Sequence, residues 1–146
     1  MAIRTADAEW KGNLRQGDGH MHFGGGAFDG RYSFSSRFEE GPGTNPEELL
    51  AAAHAGCFSM ALSAELAGAG FKPQSVETTA KVHVDKVDDG FTITRVNLET
   101  QAVVPDIDDA RFQEIVEGAK NGCPVSRLLK GAEITADAKL VNEGGA

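Results

Sequence analysis

One run of small and apolar residues, from 45 to 70, constrains the fold of this chain more than any other feature. Nearly every residue between Leu49 and Ala64 is apolar or small, and no proline follows Pro46 within the run. This pattern predicts a central helix over 45–70 that is buried on nearly all sides.

Burying such a helix is difficult for a chain of 146 residues, because a single thin sheet covers only part of its surface. The sequence therefore predicts a homodimer in which two central helices pack against each other about a two-fold axis. The residues that would allow close approach are Ala52, Ala53, Ala55, Gly56 and Ala61.

Local signals define both ends of the helix. Pro46 steers Asn45 out of the helical region, so Asn45 is a natural N-cap, and Glu48 falls where a capping box needs it. Gly70 predicts the C-terminal stop. Glu47 is left without a local role.

The remaining segments predict an α+β fold in a single domain over 1–146. Residues 1–40 are rich in glycine and predict a meander of two or three strands, with Arg37 on a strand that leads toward the central helix. Residues 75–141 predict a hairpin, two helices and a final strand, and 142–146 a frayed tail. The helices are expected to pack on one side of antiparallel sheet.

Pattern details refine the C-terminal half. Strict alternation from Val76 predicts a half-buried strand, the Asp-Asp-Gly sequence at 88–90 predicts a tight turn, and a phase shift near Arg95 predicts a bulge or a strand packed on both faces. Asp108 begins a helix with an apolar stripe that ends at 121–122.

Composition excludes some functions. Charged residues make up 25% of the chain and hydrophobic residues 40%, and the net charge of −8 disfavours nucleic acid as a partner. The N-terminal residues lack the apolar core of a secretory signal, which predicts a cytoplasmic location. His54, Glu65 and many small residues argue against a membrane span for the central run.

The two cysteines, Cys57 and Cys123, are either inert core residues or redox catalysts in a reducing compartment. Pro124 suits a first helical position, so Cys123 is expected at an N-cap, where exposed N–H groups favour a thiolate. Apolar neighbours would raise the pKa of Cys57, so a reactive Cys57 needs a cation from elsewhere in the fold.

Few cations are candidates. His54 lies one helical turn before Cys57 and could stabilise its thiolate, or it could be a core histidine bonded to a carbonyl group. Arg37 could act in the same way or be a surface charge. The other histidines have no metal-ligand spacing with the cysteines, so we expect neither a zinc site nor a cofactor: His20, His22 and His83.

The motifs around the cysteines, SSRFEEGPGTNPEELLAAAHAGCFSMAL and AKNGCPVSRLL, resemble the osmotically inducible protein C (OsmC) family of thiol peroxidases, relatives of the organic hydroperoxide resistance proteins. The similarity extends from about Tyr32 onward, and residues 1–31 match loosely. It implies an OsmC-like fold in which antiparallel sheets pack around long central helices in an intertwined homodimer.

The resemblance also implies a site. Cys57 would attack the peroxide, Cys123 would resolve the resulting sulfenic acid as an intramolecular disulfide, Arg37 would stabilise the Cys57 thiolate, and Glu47 would hold Arg37. Glu47 and Cys57 are ten residues apart, about 15 Å along a straight helix. Arg37 must therefore bridge them, the helix must bend, or the partners must come from opposite subunits.

The implied activity is reduction of organic hydroperoxides, and more weakly of hydrogen peroxide, in oxidative and osmotic stress defence. An external thiol or dithiol, such as a lipoylated protein, would restore the enzyme. The alternatives are a thiol-disulfide oxidoreductase or redox sensor without peroxide turnover, and a ligand-binding or structural dimer. Four apolar residues suggest a rim that favours organic peroxides, although most of them are also expected in the core: Phe38, Phe58, Met60 and Leu62.

Overall fold

A computed structural model describes residues 2–142 and divides the chain into two compact units, Met1–Leu49 and Leu50–Ala146. Each unit contains one three-stranded sheet, and helices accompany both, so the predicted α+β class is confirmed. The single-domain organisation over 1–146 stays a prediction. The predicted frayed tail spans 142–146, and all of it except Asn142 lies outside the described residues.

The first unit begins with an antiparallel meander, as the sequence predicts. Its strands are β1 (Ala6–Lys11), β2 (Asp18–Phe23) and β3 (Phe28–Ser33), in that spatial order. A short 3₁₀ turn, Gly24–Gly26, joins β2 to β3.

Two aromatic side chains cross the face of this sheet. The ring centroids of Trp10 and Tyr32 lie 5.3 Å apart, and both rings lie over Gly19. A Cβ atom at position 19 would approach the Tyr32 ring to 2.5 Å and the Trp10 ring to 2.6 Å. Glycine is therefore required at this position for both rings to lie against the strand.

A short helix, α1 (Phe34–Phe38), follows β3, so the prediction that Arg37 lies on a strand is wrong. Two serines cause the helix to form. The Ser36 N–H donates to the Ser33 hydroxyl at 3.2 Å, and the Ser33 N–H donates to the Ser36 hydroxyl at 2.8 Å. This reciprocal capping satisfies backbone groups that would otherwise pair with a neighbouring strand.

The central helix, α2, spans Pro46–Gly68 and has the predicted N-cap. The Glu48 N–H donates to the Asn45 side-chain oxygen at 2.8 Å. The Glu48 carboxylate accepts from the Thr44 hydroxyl at 2.9 Å, one residue earlier than a capping box places that bond. Hydrogen bonds to Asn45 and Thr44, the two residues that precede the helix, therefore fix its first turn.

The C-terminus of α2 ends in a Schellman motif, which confirms the predicted glycine stop. Gly70 has a φ of +96°, in the region that glycine tolerates best. The Phe71 N–H donates to the Leu66 carbonyl and the Gly70 N–H to the Ala67 carbonyl, both at 3.0 Å.

Within one chain, burial of α2 follows a narrow stripe. Burial on nearly all sides stays a prediction, because it depends on the second copy that the sequence predicts. The buried residues recur every fourth position: His54, Phe58, Leu62 and Leu66. The opposite face is exposed and carries Ala52, Ala53, Gly56, Met60, Ala64 and Ala67. One sheet and its helices cover a single side of a helix, and the rest of its apolar surface remains uncovered in one chain.

Among residues 2–142, α2 alone has the length and apolar character needed to cross a membrane. Its most apolar 18-residue window has a mean hydropathy of 1.4, and 22% of that window is buried. The core helix of a soluble protein can meet the same criteria, so this is weak support for a membrane span.

The second unit contains the sheet β4 (Ser75–Val87), β5 (Gly90–Val103) and β6 (Glu133–Leu140), with β5 in the centre. The predicted turn joins β4 to β5, with Asp88 and Asp89 at φ of 49° and 68°. The pairing register skips Thr94, between the His83–Arg95 and Val84–Ile93 pairs, so the bulge, one of the two predicted alternatives, is confirmed.

Strand β6 pairs with β5 in parallel, which corrects the expectation of purely antiparallel sheets. The two helices between these strands explain the difference. They are α3 (Asp109–Gly122) and α4 (Pro124–Leu128), and they return the chain to the start of β5. A parallel pair requires a crossover connection of this kind, whereas a tight turn gives an antiparallel pair.

The core of the second unit lies between α2, α3 and the central strand. Asp108 caps α3 as predicted, accepting from the Arg111 N–H at 2.8 Å. The core residues include Phe58, Leu62 and Leu66 of α2, Val96 and Leu98 of β5, and Phe112, Ile115, Val116 and Ala119 of α3. This packing fixes the residue that follows α3, Cys123, against α2.

Candidate active site

Two thiols from different elements of the second unit lie side by side. Cys57 is on α2 and half-buried, and Cys123 is the N-cap of α4 and fully buried. Their Sγ atoms lie 3.0 Å apart, and both cysteines are free. Packing of α3 in the core therefore brings together two residues that are 66 positions apart.

The surroundings affect the two thiols in opposite directions. Burial raises the pKa of Cys57, and its hydrogen bond with Cys123 adds to this effect, while the Val125 amide opposes it. Burial also acts to raise the pKa of Cys123. The neighbouring Cys57 thiol, the Ser126 amide and hydroxyl, and the Val125 amide outweigh burial and lower that pKa below its ordinary value. Cys123 is thus the more acidic thiol in this environment.

His54 lies in the buried stripe of α2 and bonds to neither a carbonyl group nor Cys57. Its Nε2 atom lies 2.7 Å from the Ser126 hydroxyl, and its Nδ1 atom is buried without a hydrogen-bond partner. Burial lowers the pKa of His54, so the neutral imidazole is favoured. Sequence reasoning missed Ser126, although its position three residues after a predicted N-cap cysteine is a signal that could have identified it.

Arg37 and Glu47, both in the first unit, form a bidentate ion pair. The Arg37 Nε atom donates to Glu47 Oε1 at 3.1 Å, and Nη2 donates to Oε2 at 2.9 Å. The Arg37 side chain is 40% exposed and the Glu47 side chain 17% exposed, so solvent still reaches the guanidinium. Because the planar fork of arginine matches a carboxylate, this contact fixes the orientation of the guanidinium.

Arg37 also lines a pocket of about 240 Å³ in the first unit. The other lining residues are mostly aromatic: Trp10, Leu14, Tyr32, Ser33, Phe34 and Phe38. Of the predicted apolar rim, Phe38 belongs to this pocket and Met60 is exposed on α2. Phe58 and Leu62 are fully buried in the core, which is the alternative expected for most of these residues.

The remaining histidines have partners outside the thiol pair. His20 pairs with Asp29, and His22 lies 3.5 Å from Asp7. His83 bonds to an asparagine of its own sheet. In the part of the chain that the structure describes, no group of three or more His, Cys, Asp or Glu side chains could hold a metal ion.

The two free thiols in contact define a two-cysteine thiol protein. An arginine–carboxylate pair lies at the start of α2, the helix that carries Cys57. A family model described as "OsmC-like protein" matches residues 39–138. The chain belongs to the OsmC family.

Relatives support this assignment over nearly the full length. The chain is 50% identical over 138 residues to "Peroxiredoxin OsmC" of Escherichia coli (strain K12), covering 94% of this chain and 96% of that protein. It is 30% identical over 147 residues to "Organic hydroperoxide resistance protein OhrB" of Bacillus subtilis (strain 168), covering 96% and 98%. The crystal structure of OhrB of Bacillus subtilis superposes with a TM-score of 0.72 at 29% identity, covering 96% and 100%.

Proposed function

We propose that this chain is a cysteine-based peroxidase that reduces organic hydroperoxides, and hydrogen peroxide more weakly, in oxidative and osmotic stress defence. The observation that carries the proposal is the 3.0 Å separation of the Cys57 and Cys123 sulfur atoms. Similarity to proteins named peroxiredoxin and organic hydroperoxide resistance protein supports the substrate class.

In the first step, the Cys57 thiolate attacks the distal oxygen of the hydroperoxide. A sulfur–oxygen bond forms, the oxygen–oxygen bond breaks, and the alkoxide leaves with the electron pair and takes a proton to become an alcohol. Cys57 is then a sulfenic acid. Hydrogen peroxide would react in the same way and release water.

In the second step, the Cys123 thiolate attacks the Cys57 sulfur. The disulfide bond forms, the sulfur–oxygen bond breaks, and the departing hydroxide takes a proton to become water. The Ser126 and Val125 groups that lower the pKa of Cys123 are unchanged at this step, and they favour it because they increase the thiolate fraction. An external thiol or dithiol then supplies two electrons to restore both cysteines, and a lipoylated protein has suitable chemistry.

Arg37 and Glu47 have electrostatic roles in this mechanism. Burial raises the pKa of Cys57, so its thiolate needs a nearby positive charge, and Arg37 is proposed to supply it. Arg37 would also stabilise the charge that develops on the departing oxygen. The bidentate contact with Glu47 supports a role for Glu47 in holding the guanidinium in one orientation.

The active form is proposed to be a homodimer in the cytoplasm. The exposed face of α2 has small apolar residues and Met60, which is 77% exposed, so a second copy could cover it at close range. Reduced thiols persist in the cytoplasm, where glutathione and thioredoxin systems operate. The Arg37 guanidinium proposed to stabilise Cys57 would come from the same chain or from the second copy.

Stopped-flow mixing of the reduced protein with cumene hydroperoxide or hydrogen peroxide tests the function. A peroxidase loses both thiols rapidly, faster with the organic substrate, and Cys57→Ser abolishes the reaction. Ser59→Ala, which removes a neighbouring hydroxyl bonded to Thr78, is a matched control that should react normally. Slow, unsaturable oxidation with rapid exchange toward disulfide substrates would instead identify a thiol-disulfide oxidoreductase.

A further inference from the structure

His54 and Ser126 form a buried polar pair that the peroxide chemistry above does not use. His54 is 0% exposed and Ser126 is 5% exposed, and water is therefore excluded from both side chains. They come from α2 and α4, the same two elements that carry the thiols. The 2.7 Å contact between Nε2 and the hydroxyl oxygen joins residues 72 positions apart.

The unpartnered Nδ1 atom of His54 determines which nitrogen carries the hydrogen. In a neutral imidazole one ring nitrogen is a donor and the other an acceptor. If Nδ1 carried the hydrogen, a buried N–H donor would have no acceptor, which is costly and rare in folded proteins. With the hydrogen on Nε2, the orphaned atom is a lone pair, and Nε2 donates to the Ser126 hydroxyl oxygen.

This tautomer leaves the Ser126 hydroxyl hydrogen free for a different acceptor. A serine hydroxyl has one hydrogen, and its oxygen is already engaged as the acceptor from His54. Ser126 follows Cys123, the N-cap of α4, by three residues and lies on the first turn of that helix, and its hydroxyl is one of the groups that lower the pKa of Cys123. The opposite tautomer would direct the same hydrogen to His54 and away from the sulfur.

We propose that His54 is a positioning residue for disulfide formation: its Nε2–H holds the Ser126 hydroxyl so that the hydroxyl hydrogen points at Cys123 Sγ and stabilises the attacking thiolate. This role rests on the proposed peroxidase function. No proton is transferred between His54, Ser126 and Cys123. Cys123 supplies the electron pair for the disulfide bond, and the departing hydroxide takes its proton from solvent. Cys57, on α2, is the titratable side chain in hydrogen-bond contact with Cys123.

A thiol titration tests the proposal without any peroxide. In a Cys57→Ala background, thiolate absorbance at 240 nm reports Cys123 alone. Ser126→Ala and His54→Phe are each expected to raise the Cys123 pKa by about 1, the size of one lost hydrogen bond to a charged group. Ser126→Thr, which keeps the hydroxyl, should restore the parental value, and Ser59→Ala should leave it unchanged. An unchanged pKa in Ser126→Ala would overturn the proposal.

The tautomer can be checked with His54 and Ser126 both in place, so the test does not depend on a variant of the buried pair. Nitrogen-15 NMR of the histidine rings separates protonated from unprotonated ring nitrogens. The His54 signals, assigned by substituting His20, His22 and His83 singly, should show hydrogen on Nε2. Hydrogen on Nδ1 would overturn the proposal.

Single-turnover kinetics separate this proposal from the peroxidase assignment. With one equivalent of cumene hydroperoxide at pH 7, Ser126→Ala and His54→Phe should slow disulfide closure about tenfold more than they slow sulfenic acid formation. Equal slowing of both steps would contradict a positioning role. If the unsubstituted protein forms no sulfenic acid, the peroxidase assignment fails, and the thiol titration still decides whether His54 acts through Ser126.

Discussion

The sulfur atoms of Cys57 and Cys123 lie 3.0 Å apart in the reduced protein, about 1 Å longer than a disulfide bond. Closing the bond therefore needs no large rearrangement of α2 or α4. We expect one equivalent of organic hydroperoxide to reduce the number of titratable thiols from two to none.

In the variant Cys123→Ser, Cys57 is the single remaining thiol. It should be oxidised to the sulfenic acid and then overoxidised in excess peroxide, because no resolving thiol is present. Mass spectrometry would detect added oxygen on Cys57. Repeated turnover of this variant with a dithiol reductant, without overoxidation, would rule out the resolving role of Cys123.

The Arg37–Glu47 ion pair is predicted to affect activity far more than stability. Arg37→Ala should lower the rate of Cys57 oxidation by cumene hydroperoxide about 10²-fold, because charge on the thiolate and the departing oxygen loses its stabilisation. Arg37→Lys keeps the charge but loses the bidentate contact, so its rate should be intermediate. Stopped-flow oxidation at fixed pH measures all three proteins.

Glu47→Gln tests the orienting role separately from the charge on arginine. The Arg37 side chain is 40% exposed, and exposed ion pairs contribute only about 0–1 kcal/mol to the free energy of unfolding. We therefore expect urea unfolding to change by less than about 1 kcal/mol, while peroxide reactivity falls. A loss of stability with normal reactivity would indicate a purely structural pair.

His54 should make the free energy of unfolding depend on pH. Burial lowers its pKa in the folded protein, whereas the unfolded chain takes up a proton as the pH falls below about 6.5. The unfolded state then binds more protons, so stability is fully present above that pH and is lost as the pH falls toward the folded pKa. Urea titrations at several pH values between 7.5 and 5.5 would measure this slope.

The variant His54→Gln lacks the titrating group and should show a shallower slope over the same interval. Ser59→Ala removes a hydroxyl from the same helix without removing a titratable group, and should keep the parental slope. Parallel curves for His54→Gln and the parent would contradict the assignment of a neutral, buried imidazole.

The β4–β5 turn gives a stability prediction remote from the thiols. Asp89 has a φ of 68°, which favours glycine, so Asp89→Gly should stabilise the protein slightly. Asp89→Val should destabilise it by about 1–2 kcal/mol, because a branched side chain fits this conformation poorly. Asp88→Asn should be nearly neutral, since asparagine tolerates positive φ, and a stable Asp89→Val variant in urea unfolding would contradict the turn geometry.

Local signals allowed much of the fold to be predicted. The N-cap at Asn45, the stop at Gly70, the turn at 88–90 and the bulge near Arg95 depend on neighbours in sequence, and the structure has all four. Family resemblance pointed to the two cysteines and to Arg37 and Glu47, and the structure shows the thiols in contact and the ion pair formed. Their catalytic roles remain proposals.

Three features could not be predicted because competing local or distant contacts decide them. Helix α1 forms because Ser33 and Ser36 cap each other, although its sequence also fits a strand. The parallel pairing of β6 depends on where two intervening helices return the chain. The contact between His54 and Ser126 joins positions far apart in sequence, and no periodicity connects them.

The exposed face of α2 has a consequence for assembly. It carries no charged residue, so charge pairing cannot fix how far two such helices slide along each other in the proposed dimer. Met60 is the one long side chain on that face, and Gly56, one turn away, has open space where a side chain would be. Steric fit between a single protruding thioether and a single gap would then determine the axial alignment of the two helices.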